Sequence, residues 1–109
     1  MKETLLATYE RESTLWKNAN AFYKAQDWVK MECLFVDFSD NRNSGTRLLD
    51  TETGEDITES VWSDRYEIVL TNKRGNSTKS FQFATKDEAN KAFLEILNHK
   101  NLPGWKKVQ

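Results

Sequence analysis

The chain is short of the residues that carry chemistry and of those that staple or punctuate a fold. Its 109 residues include one cysteine, one histidine, one proline and four glycines. A single cysteine excludes an internal disulfide. Cys33 lies inside the apolar run WVKMECLFVDF (28–38) and reads as a buried, reduced thiol. One histidine and one cysteine are too few for a closed zinc site. The acids around Gly54 in DTETGED alternate as in a calcium loop, but the twelve-residue spacing and the distal glutamate are missing. Four scattered glycines build no Walker or dinucleotide loop. His99, near the end of a helical pattern, is placed to meet free backbone carbonyls rather than a nucleophile. These shortages predict no catalytic residues, no metal, no cofactor and no enzymatic activity. No apolar run approaches the length of a membrane span. Charges break up the opening MKETLLATYERE where a signal peptide needs an apolar segment. The expectation is a cytoplasmic protein with no membrane partner.

Aromatic residues and charge are abundant. Aromatic residues make up 12% of the chain, and the four tryptophans, six phenylalanines and three tyrosines must supply much of the core. Charged residues make up 30%, and the net charge of −1 hides an asymmetry. Residues 50–70 hold seven acids against Arg65 alone, while residues 71–109 hold eight lysines and arginines against three acids. The length suits one domain, 1–109.

Apolar residues at Leu5, Tyr9, Leu15, Trp16, Ala19, Phe22 and Tyr23, with no proline or glycine between them, predict a long amphipathic N-terminal helix over 3–26. Period-two alternation then predicts strands over 28–38, 65–71 and 78–84. Residues 46–50 lead into a turn at TETGED, with a return strand near Ile57; TESVWSD reads equally as a strand end or one helical turn. TNKRGNSTK (71–79) reads as a β-hairpin turn, with Gly75 supplying positive φ. TKDE (85–88) is a capping box, and Ala89, Ala92, Phe93, Ile96 and Leu97 follow at helical spacing until Pro103 forbids continuation. Phe81, Phe83, Phe93, Ile96 and Leu97 are expected to form one core. The predicted fold class is α+β: the long N-terminal helix, an antiparallel sheet of four or five strands built from hairpins, and a C-terminal helix packed on one sheet face.

Two charged clusters are left as candidate contact sites. Asp50, Glu52, Glu55, Asp56 and Glu59 form an acidic patch suited to a basic protein surface. Lys73, Arg74 and Lys79, with Lys106 and Lys107 expected nearby, form a basic group. The leading expectation is a small non-enzymatic protein-binding module, an inhibitor or adaptor that occupies a partner's surface. In size and composition it resembles anti-CRISPR and antirestriction inhibitors of phages and mobile elements. The alternative is a nucleic-acid-binding domain that uses the 73–79 hairpin and the C-terminal lysines. The final run, FQFATKDEANKAFLEILNHKNLPGW, is similar in its strand-then-helix order to the ending of WGR domains, without the Trp-Gly-Arg signature.

Overall fold

The computed structural model describes every residue from Met1 to Gln109. Its first element corrects the expectation from sequence: β1, Lys2–Glu10, is a strand, and no long N-terminal helix exists. Leu5 and Tyr9, four apart, lie on opposite faces of this strand because of a bulge between Leu5 and Ala7, and Thr4, Thr8 and Tyr9 favour a pleated surface. The apolar residues beyond Arg11 belong to a loop and a single helical turn. Ser13, Thr14, Asn18 and Asn20 mark that loop. Asn20 then caps the five-residue helix α1, Ala21–Ala25, its side chain accepting from the Tyr23 amide at 3.1 Å.

β2 follows as Trp28–Asp37, then two helical turns, α2 (Ser39–Arg42) and α3 (Thr58–Val61). Between them Leu49 and Asp56 make a single bridge around the Gly54 turn; the chain then enters α3, so no return strand forms near Ile57. β3 is Arg65–Asn72 and β4 is Thr78–Phe83, joined by a turn in which Gly75 has φ 71°. α4 is Lys86–Leu97; the Thr85 hydroxyl accepts from the Glu88 amide and donates to the Glu88 carboxylate, both at 3.2 Å. A two-residue strand, β5, Lys106–Lys107, ends the fold. The five strands form one antiparallel sheet in the order β4-β3-β2-β1-β5. No helix is long and apolar enough to cross a membrane.

Register decides which side chains share a face. Tyr9, Met31 and Leu70 stand in one row, and Ala7, Cys33, Ile68 and Phe81 in the next. α4 packs against this face over β3 and β4. Met31, Ile68 and Leu70 form the buried centre. Phe81, Phe83, Ala92, Phe93, Ile96, Leu97 and Trp105 pack around them, and Tyr9 meets the Phe93 ring at 5.0 Å. Only 11 of the 109 residues are buried. The molecule measures 56 × 26 × 20 Å, and its radius of gyration is 17.6 Å. A compact chain of this length would give about 13 Å. One twelve-residue helix cannot cover five strands, so most of the sheet stays open.

Candidate binding surface

The long axis separates the charges. β2 is ten residues long and spans about 33 Å. At the end where β2 finishes and β3 begins, residues 37–64 carry eight acids against Arg42 and Arg47. The other end gathers the 11–28 segment, the β3–β4 turn and the chain after α4, which together carry eight lysines and arginines against Glu12 and Asp27. Hydrogen bonds hold these three segments together. The Lys73 amide donates to the Asp27 carbonyl at 2.8 Å, the Asn72 side chain to the Ala25 carbonyl at 3.2 Å, and the Arg11 guanidinium to the Pro103 carbonyl at 2.9 Å.

At the acidic end, local structure uses most of the predicted patch. Asp50 accepts from the amides of Glu52 and Thr53 at 2.8 and 2.9 Å, bonds that favour its charged form and lower its pKa. Asp56 accepts from the Thr58 amide at 3.0 Å and from Arg47 at 2.8 Å. These contacts, Thr58 first, lower its pKa to about 2. Arg47 also reaches Glu59 at 3.2 Å, and Arg42 holds Asp64 at 2.8 Å. Glu52 and Glu55 remain exposed with no ion pair. The acidic segment thus ties Asp50, Asp56 and Glu59 into its own turn while staying net negative, and leaves Glu52 and Glu55 with no partner.

The predicted basic group does not come together as one patch. Lys73 and Arg74 project from the β3–β4 turn. Lys79 lies on β4 with its ammonium 5.2 Å from the Phe81 ring centre. Lys106 and Lys107 pair with Glu10 and Tyr9 at the opposite sheet edge, four strand spacings or about 19 Å away. What lies beside the basic turn instead is aromatic. Trp16, Phe22 and Tyr23 are 58%, 65% and 46% exposed. Tyr23 stands 5.5 Å from each of the other two, tilted to Trp16 and edge-on to Phe22. Lys17 and Lys24 flank them in the chain. Sequence periodicity had assigned these rings to a helix packing face. The usable signal was a tryptophan among Ser, Thr and Asn residues, where packing gives no reason for it.

Next to Tyr23 is an open hollow of about 580 Å³, floored by Trp28, Leu70 and Leu102 and rimmed by Gln26, Lys79, His99 and Asn101. The Asn101 amide donates to His99 Nδ1 at 3.1 Å, so the neutral ring carries its proton on Nε2. Beneath this end lies a buried ion pair. Arg11, whose side chain is fully buried, donates to Asp27 Oδ1 at 2.7 Å and to the Trp28 carbonyl at 2.8 Å, and stands 5.9 Å from the Trp105 ring centre. Cys33, half-buried under α4, has its thiol pKa raised by desolvation, which makes it a poor nucleophile. No known protein family, curated protein or solved structure matches the chain.

Proposed function

We propose that the protein is a small non-enzymatic protein-binding module whose contact surface is the aromatic, basic end, and that its partner presents an acidic surface. It works as an inhibitor or adaptor by occupying that surface. The observation carrying this reading is the exposed set of Trp16, Phe22 and Tyr23. Large rings exposed to water are unfavourable unless something covers them, and tryptophan and tyrosine dominate the energetics of protein interfaces. The flanking Lys17, Lys24, Lys73 and Arg74 supply the charge that steers an acidic partner to them. The buried Arg11–Asp27 pair fixes the segment that displays the rings. The acidic end, with Asp50, Asp56 and Glu59 engaged in its own turn, is the weaker contact candidate, and Glu52 and Glu55 are its free charges.

One specific observation favours a second reading. The basic turn is hydrogen-bonded beside the aromatic rings through Lys73 and Asp27, and alternating cations and rings also suit single-stranded nucleic acid. A capture experiment from host lysate separates the two. The wild-type chain is expected to retain an acidic protein that nuclease does not release and that a Trp16→Ala, Phe22→Ala, Tyr23→Ala variant does not retain. Retention of nucleic acid alone gives the second reading first place. Equal retention of the protein by the variant sinks the aromatic end as the contact surface.

A further inference from the structure

The chain exposes more surface than a monomer of its mass should. Its accessible area is 7562 Å². A folded monomer of 12.7 kDa is expected near 6,200 Å², an excess of about 1,300 Å². A standard interface takes about 800 Å² from each partner. Part of the excess lies on the β1 edge. β5 pairs only with Tyr9 and Glu10, and Thr8 is closed off by Val108 and Gln109 through bonds of 2.8 to 3.2 Å. Residues 1–7 have no strand on their outer side. Leu5 and Leu6, 38% and 51% exposed, stand on that stretch, with Met1 at its tip.

We infer that this edge pairs with the same edge of a second copy, as an antiparallel ladder across a two-fold axis at Thr4, making one ten-stranded sheet. This inference is independent of the aromatic end and of the function assigned to it. The partner is a second copy because the available edge matches itself. It is bounded at Thr8 by the chain's own C-terminal segment, and the bulge between Leu5 and Ala7 ends the regular stretch at Leu6, so the register that uses residues 2–6 places Thr4 opposite Thr4. Lys2 then faces Leu6, and Glu3 faces Leu5. No like charges stand directly opposite each other, and each leucine is covered by the methylene stem of a charged neighbour. The two-fold repeats each contact, so the assembly closes at two copies. A ladder of five residues spans about 17 Å. That is a small interface, so dimerisation belongs in the micromolar range rather than below it.

The register makes a charge-specific test possible. In it, Leu5→Glu sets a carboxylate opposite Glu3, and Leu6→Lys sets an ammonium opposite Lys2. The reverse double variant, Leu5→Lys with Leu6→Glu, makes both pairs opposite in sign while removing the same apolar surface. Sedimentation equilibrium across the micromolar to submillimolar range reads the mass, and circular dichroism verifies that each chain is folded. The wild type and the Leu5→Lys, Leu6→Glu variant are expected at twice 12.7 kDa, and the Leu5→Glu, Leu6→Lys variant at 12.7 kDa. An isotope-filtered cross-peak between Thr4 of one copy and Thr4 of the other tests the axis on the wild type alone, whatever the variants do. A wild type that stays monomeric throughout overturns the inference: Lys2 and the bulge between Leu5 and Ala7 would then be devices that protect the edge. So does a dimer that survives both double variants, which would place the interface elsewhere. Two monomeric variants would overturn this register.

Discussion

Breaking the Arg11–Asp27 pair should be the most damaging polar change available in this chain. The Arg11 side chain is wholly buried, and that of Asp27 is 6% exposed. The guanidinium makes three bonds of 2.7 to 2.9 Å, to Asp27, the Trp28 carbonyl and the Pro103 carbonyl, and thereby ties the end of β1 to the start of β2 and to the chain after α4. Bonds to charged groups contribute about 1.5–3 kcal/mol each, but part of that total repays the desolvation of both ions. Removing one partner leaves the other charged and buried. Arg11→Ala and Asp27→Ala should therefore each cost about 3–5 kcal/mol. Domains of this kind are stable by only about 5–15 kcal/mol, so either variant approaches the unfolding threshold. The paired replacement Arg11→Met with Asp27→Leu removes both charges and keeps the volume. It should be milder than the singles predict, with a coupling of about 2–3 kcal/mol. Urea unfolding followed by tryptophan fluorescence measures all four chains. Single losses below about 1 kcal/mol, in the range of exposed ion pairs, would refute the reasoning. So would a double variant whose loss equals the sum of the singles.

Phe93→Ala should cost about 3–5 kcal/mol by leaving a cavity between α4 and Tyr9, and a loss below about 1 kcal/mol in the same assay would show that this face is not packed. Asp56 should titrate near pH 2 by carboxyl-carbon NMR; because its folded pKa is depressed, the stability it adds is present above its ordinary value of 3.8 and disappears as pH falls from about 4 towards 2. Asp56→Asn should remove that segment of the acid-unfolding curve, and an unchanged curve would show that the Thr58 and Arg47 contacts do not form in solution. Nucleic acid should bind no tighter than about 10⁻⁴ to 10⁻⁶ M, the range of non-specific attraction. Replacing Lys73, Arg74 and Lys79 with alanine should change that only slightly, whereas a salt-resistant submicromolar complex abolished by the triple variant would favour the nucleic-acid reading.

The second half of the chain was legible because several local signals agreed there. Thr85 and Glu88 announced a helix start, Gly75 and its asparagines announced a turn, and Tyr66, Ile68 and Leu70 alternated cleanly between them. The first 26 residues misled because apolar spacings of three and four over ETLLATYE also occur on a strand that carries a bulge. Arg11 carries no sequence signal of burial, since its partner Asp27 lies sixteen residues away and nothing local reveals a buried pair. The candidate surface was hidden by the same error. With Trp16, Phe22 and Tyr23 on a helix packing face, only the charged clusters stand out as contact sites. Those clusters were themselves misleading as read from spacing alone, because Arg47 reaches across a turn to two of the acids, and the sheet order sends Lys106 and Lys107 to the far edge.

The separation of charge along the 56 Å axis has a consequence for how the molecule meets its surroundings. At physiological ionic strength a charge is screened within about 8 Å, and even at 0.01 M salt within about 30 Å. The two ends therefore do not sense each other, and a neighbouring surface senses only the end that faces it. The chain behaves as two separate ions of opposite sign mounted on a rod, and its net charge of −1 describes neither of them. In moderate buffer near neutral pH it should adhere to both a cation exchanger and an anion exchanger, with its ends reversed between the two.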